Sequence, residues 1–189
     1  MRKHLFIWMT ILAMVFATSC NRGSDNQVLK EKGQSQTEVL QLLQQIDSLG
    51  NMGEFDAHVA KSFIAKAEEF SNKYPEDAMS PEFLFKAGLM AMTVAKATDN
   101  IDEKTTYCQN AFNIFEDIER VYPEYSGVKD GMYYKGVIFD DILHDYENAE
   151  IYYRMFIARY PTDTLAITLE SYLQFLGKSP EEIIATFGN

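Results

Sequence analysis

Three tyrosine-proline dipeptides, Tyr74-Pro75, Tyr122-Pro123 and Tyr160-Pro161, each close the same spacing of bulky residues, and this recurrence constrains the chain most. From Ala149 onward the spaced positions are Ala149, Tyr153, Phe156 and Tyr160, at offsets 0, +4, +7 and +11. Those offsets lie on one face of an α-helix, and the proline that follows ends it. The frame recurs as Ala111, Phe115, Ile118, Tyr122 with Pro123, and as Phe63, Ala67, Phe70, Tyr74 with Pro75. Apolar residues at such offsets occur in any amphipathic helix, whereas three stops in register with them define a repeat.

Ahead of the repeats, residues 1–19 carry Arg2 and Lys3, an apolar run from Leu5 to Ala17 and then small residues, the pattern of a secretion signal. The run has thirteen residues, short of the roughly 20 that a spanning helix needs. Residues 21–36 hold Gly, Ser, Asn, Gln, Lys and Asp with almost nothing to bury, which predicts a flexible tether over 20–36 and one folded domain over 37–189. Removing residues 1–19 takes away two cations and no acid, moving the formal charge from −11 to −13. That balance argues against nucleic acid or anionic headgroups as partner. With Cys20 at the signal boundary, Cys108 stands unpaired, so the chain has no disulfide framework and no metal-type cysteine spacing.

Helical periodicity runs through the rest. Val39, Leu42, Leu43, Ile46 and Leu49 keep helical spacing up to the breaker Gly50-Asn51-Met52-Gly53. A repeat helix follows over 54–74, and Ser80-Pro81-Glu82 supplies an N-cap, an N1 proline and a first-turn acid for a helix to about Ala97. Further helices are expected over 107–122, 127–144, 145–160 and 164–176, with a last short one after Ser179-Pro180-Glu181-Glu182. Strand-type alternation is absent, which predicts an all-α array of antiparallel helix pairs.

These features resemble two families. Ala17-Thr18-Ser19-Cys20 resembles a bacterial lipoprotein signal, with Ala17 where Leu, Val or Ile is usual; an ordinary secretory signal is the other reading. The resemblance implies cleavage before Cys20 and acylation of its sulfur, and Asn21 in place of Asp implies the outer membrane. The repeats resemble the tetratricopeptide repeat (TPR) family. Gly136, Asp145-Tyr146-Glu147-Asn148-Ala149, Tyr153, Phe156 and Pro161 stand at its small, aromatic, apolar and proline positions, as do Gly88, Ala111, Phe115, Ile118 and Pro123. This implies a right-handed superhelical α-solenoid of about 3 to 3.5 repeats. Three departures mark the chain. The stops are 48 and 38 residues apart rather than the family's 34, placing an insertion within Ala97 to Thr106; the third repeat has extra residues too, one of them between Gly136 and Ala149; and in the first repeat Phe63 and Ala67 exchange the small and aromatic roles.

The resemblance further implies a concave partner groove on the first helix of each pair. Counted from Gly88 its positions are Glu82, Phe85, Leu89 and Met92; counted from Gly136 they are Asp130, Tyr133, Val137 and Asp140. None is Lys, Arg or Asn, so the carboxylate clamp of chaperone-binding TPRs is missing, and an acidic, aromatic groove suits an apolar or basic segment. The alternative is that Phe85, Leu89, Tyr133 and Val137 pack between helices. Asp140 and His144 at i, i+4 permit a metal, though such clusters are more often solvated helix ends. No phosphate loop or nucleophile elbow accompanies them, so the expectation is a non-enzymatic chain without metal or cofactor. The functional expectation is a lipid-anchored envelope scaffold that binds another protein or peptide. Its alternative is a component of outer-membrane β-barrel assembly similar to BamD-type lipoproteins, and small-ligand capture in the groove is a third class.

Overall fold

In the computed structural model, which describes the backbone of residues 5–187 and the side chains of residues 26–185, the three tyrosine-proline stops share one backbone geometry. Tyr74, Tyr122 and Tyr160 have φ of −131°, −125° and −128° and ψ of 60°, 56° and 55°. Each donates its N–H to the carbonyl four residues back, on Phe70, Ile118 and Phe156. The proline that follows has no N–H to continue the ladder. Three residues past each tyrosine, the N–H of Asp77, Tyr125 and Asp163 donates to that tyrosine's carbonyl at 3.0, 2.9 and 2.9 Å, closing the same turn three times.

The described residues form eight α-helices and no strand: α1 (Leu5–Asn51), α2 (Ala57–Lys73), α3 (Ser80–Ala97), α4 (Ile101–Val121), α5 (Val128–Val137), α6 (Tyr146–Arg159), α7 (Thr164–Tyr172) and α8 (Pro180–Phe187). From α1 to α7 each helix packs on the next in sequence. Connections this short between packed neighbours reverse the chain direction each time. No helix among the described residues is long and apolar enough to cross a membrane. Met1 to His4, with Arg2 and Lys3 of the signal, and Gly188 lie outside the described residues, and the Cys20 side chain lies outside the described side chains.

Residues 20–36, expected as a flexible tether, belong to α1. Their composition does leave them little to bury: Val28 and Leu29 are exposed. The helix is held instead from its packed end, where Val39 is fully buried, and by polar reach. Lys32 pairs with Asp77 at 2.5 Å, Lys73 with Glu31 at 3.4 Å, and Gln36 donates to the Met79 sulfur at 2.8 Å.

The Lys32–Asp77 tie recurs at each stop. The residue three past the tyrosine links back to the preceding first helix: Asp77 to Lys32 of α1, Tyr125 through its hydroxyl to Glu82 of α3 at 2.7 Å, and Asp163 to Lys129 of α5 at 2.7 Å. Asp77 and Asp163 also accept, at 2.8 Å each, the N–H two residues ahead. The lysine first and that N–H second hold both carboxyls below their ordinary value.

Of a polar loop or a helix extension, the two readings open to the inserted residues, the structure has the helix extension. α4 begins at Ile101, not near Tyr107, because Asn100 caps it by accepting from the Glu103 N–H at 3.0 Å, which leaves a connection of only residues 98–100. The added turn is fastened to α2 by Lys61–Glu103 at 2.5 Å. The extra residue after Gly136 is absorbed by a π-helical segment, Ile138–Leu143, that continues α5. α7 stops at Tyr172, four residues short of the expected end, and residues 173–177 turn back toward α8.

Two apolar clusters result. The larger runs through α1 to α5 and the π segment, with Phe63, Phe70, Phe83 and Phe115 at 1% exposure or less; the smaller joins Met132, Ala149, Tyr153, Phe156, Ala166 and Leu169. Ala111, Ile118, Ala149 and Phe156 are fully buried, whereas Pro123 and Pro161 are exposed at the turns. Two glycines set the helix spacing. A methyl on Gly88 would lie 2.8 Å from the Phe115 ring, and one on Gly136 2.5 Å from the Tyr153 ring. Glycine inside a helix costs about 1 kcal/mol relative to alanine, and here that cost is offset by the approach of an aromatic ring.

Candidate functional site

The π segment and the residue that ends it shape the site. His144 is left-handed, with φ 53° and ψ 34°, a conformation histidine tolerates better than bulkier residues. Its N–H and that of Asp145 both reach the Phe139 carbonyl, which closes the helix end. The wider turn re-aims the side chains that follow Val137, and Asp140 then faces α6 and α7. Its Oδ2 accepts the Tyr153 hydroxyl at 2.9 Å and the Tyr172 hydroxyl at 2.8 Å.

Around this carboxylate lies a cleft of about 630 Å³. One wall is Tyr133, Val137 and Asp140 with Tyr153; the other is Leu165, Thr168, Leu169 and Tyr172 of α7; Tyr146, Phe175 and Ile183 also line it. Tyr133 stacks on Tyr153 with ring centres 6.0 Å apart, and Tyr153 meets the Tyr172 ring edge-on at 6.1 Å. Burial first, and the Asp140 charge after it, push the Tyr153 and Tyr172 phenols far above their ordinary value. Burial likewise raises Tyr133. The phenols therefore stay protonated and donate to Asp140 at neutral pH.

Of the cleft's carboxylates, Asp141 pairs with Lys96 of α3. Lys178 also lines the cleft, and Glu182 is oriented by its capping box with Ser179 through bonds of 2.7 and 3.3 Å. The His144 Nδ1 lies 3.0 Å from the Asp140 backbone carbonyl, which engages that ring nitrogen. No group of three or more His, Cys, Asp or Glu suited to a metal occurs among the described residues.

Of the eight groove positions expected from the sequence, the structure brings Tyr133, Val137 and Asp140 into this cleft. Glu82 is engaged by Tyr125 and by Lys86 at 3.2 Å. Phe85 is packed among Phe115, Tyr125 and Tyr134, with ring centres 5.9 to 6.2 Å away. Leu89 packs on the larger core, Met92 is buried within it, and Asp130 is exposed. The α7 wall was not among the expected positions. Its signal is present: Leu165, Thr168, Leu169 and Tyr172 fall at offsets 0, +3, +4 and +7, one face of a helix. Cys108 is buried on α4, and desolvation raises its thiol to about 11, so it packs as a small apolar residue.

Compared with protein-family models, with curated proteins and with solved structures, the chain has no match, so the reading of its site rests on its own geometry.

Proposed function

We propose that this protein is a non-enzymatic scaffold of tetratricopeptide type, its helix pairs stacked in a right-handed superhelix and tied to the bacterial outer membrane by a lipid on Cys20. Its working surface is the cleft between α5 with its π segment and α7, where an extended segment of another envelope protein docks. The observation that supports this most is the cleft itself: a tyrosine-walled opening of about 630 Å³ on the first helices of successive pairs. A surface with a few placed polar groups on apolar walls suits recognition.

Photo-crosslinking from Tyr133 in intact envelopes tests the proposal. A discrete protein adduct is expected, weakened by Thr168→Arg at an exposed position of the opposite wall; an adduct indifferent to that change counts against the cleft. For the anchor, Cys20→Ala should abolish incorporation of labelled fatty acid, and persistent labelling would sink it. A role in β-barrel assembly is the second reading, favoured by tyrosine-proline-terminated repeats behind a lipoprotein-like signal. Depletion would then lower several barrel proteins together, and normal barrel levels remove that reading.

A further inference from the structure

We infer that the cleft is built for a cation, and that the docked partner segment places an arginine side chain against Asp140. The inference rests on the docking cleft described above and adds the chemistry of its occupant. Asp140 is held rather than loose: two phenols fix Oδ2, at 2.9 and 2.8 Å, and the π segment sets the backbone from which it projects. Both bonds fall on one oxygen. Oδ1 makes no hydrogen bond among the described residues and remains a spare acceptor of a residue that lines the cleft.

Of the two lining carboxylates Asp141 has Lys96, and Lys178, which also lines the cleft, makes no ion pair with Asp140 among the described residues. This leaves Asp140 as the lining carboxylate without a cation among the described residues, in a chain of formal charge −11. Charge complementarity therefore points to a basic occupant. The walls narrow the choice. Tyr133 and the exposed Tyr172 line the cleft with Asp140, and aromatic faces attract cations. Guanidinium is weakly hydrated, stacks on such rings and donates along its edge, so it loses less on entering the cleft than an ammonium does. Leu165, Val137 and Leu169 offer apolar surface to the methylene stem and to neighbouring apolar residues of the segment.

The test uses the full chain in detergent and two peptides, acetyl-Ala-Leu-Arg-Leu-Ala-amide and the same peptide with citrulline, the uncharged isostere, in place of arginine. The arginine peptide should bind at least tenfold more tightly, and its affinity should fall with rising salt. Asp140→Asn keeps an oxygen for both phenols, so the fold is retained, and it should bring the arginine peptide down to the citrulline level. Equal binding of the two peptides to the unaltered protein, which involves no variant, overturns the cation. No binding of the arginine peptide overturns it as well. The docking cleft is judged separately by the envelope crosslink at Tyr133: an adduct that survives Asp140→Asn but fails with Thr168→Arg, at an exposed position of the opposite wall, keeps the cleft and removes the cation.

Discussion

The α3 and α5 helices carry the same frame and end up as different surfaces. Phe85 and Tyr133 both stand three residues before the close-packed glycine, and Met92 and Asp140 both stand four after it. Around α3, Tyr125 and Tyr134 close over Phe85, and Met92 is buried at 6% exposure. Around α5 the corresponding neighbour is α7, which brings the hydroxyl of Tyr172 to the carboxylate of Asp140 and leaves a cleft. A repeat frame thus settles which helices approach each other and by how much. Whether the space beside them is filled depends on a few substituents at the next helix.

The largest effects come from trading the two regions' characters. Met92→Asp buries a carboxylate without a partner and should lower stability by about 3–5 kcal/mol, read as a fall in the midpoint of denaturant unfolding. Ala149→Trp, at a fully buried position, should cost at least as much. A fully stable Ala149→Trp would mean that α6 does not pack as described.

Next come the glycines. Gly136→Ala places a methyl 2.5 Å from the Tyr153 ring, and Gly88→Ala places one 2.8 Å from Phe115. Each gains helix propensity and loses packing, with a net loss of about 1–3 kcal/mol expected and the larger loss at Gly136. Thermal melts that put Gly88→Ala below Gly136→Ala would reverse the comparison. Asp140→Leu leaves the hydroxyl of buried Tyr153 without its acceptor and should cost about 1–3 kcal/mol. Asp140→Asn should cost clearly less in the same melts.

The smallest effect is expected at the turn ties. Asp77 and Asp163 are held below their ordinary value of 3.8 by Lys32 and Lys129, so folding favours their charged form. Their contribution is complete above that value and is lost as pH falls through the lower folded one. Asp77→Asn should therefore melt slightly below the unaltered protein near neutral pH, and the gap should close as pH falls below 3.8 and the carboxylate protonates. A gap unchanged in acid would show that the Lys32–Asp77 pair contributes nothing through its charge.

Much of the framework was legible in the residues. Proline removes a donor wherever it stands, so the ends of α2, α4 and α6 could be placed from Tyr74, Tyr122 and Tyr160. Glycine and alanine at helical offsets to aromatics likewise foretold where Phe115 and Tyr153 are buried, because that match is one of volume. The residues of α1 before Val39 were less legible: they bury little, and what fastens them is the reach of Lys32, Glu31 and Gln36 to α2 and to the turn after it. Composition does not register a partner about forty residues away.

What the sequence determined alone was local and periodic: helices, their stops, and the small-to-aromatic spacing that governs how closely neighbours approach, all properties of residues within a few turns of one another. The tertiary structure decided which groove positions are filled and which are open. Phe85 and Tyr133 are equivalent by count and separate only because Tyr125 and Tyr134 close over one while α7 stands off from the other. It also decided that one extra residue would widen α5 into a π turn and aim Asp140 at two phenols. Those outcomes depend on volumes and hydrogen bonds contributed by residues far along the chain, and periodicity within one helix carries no information about them.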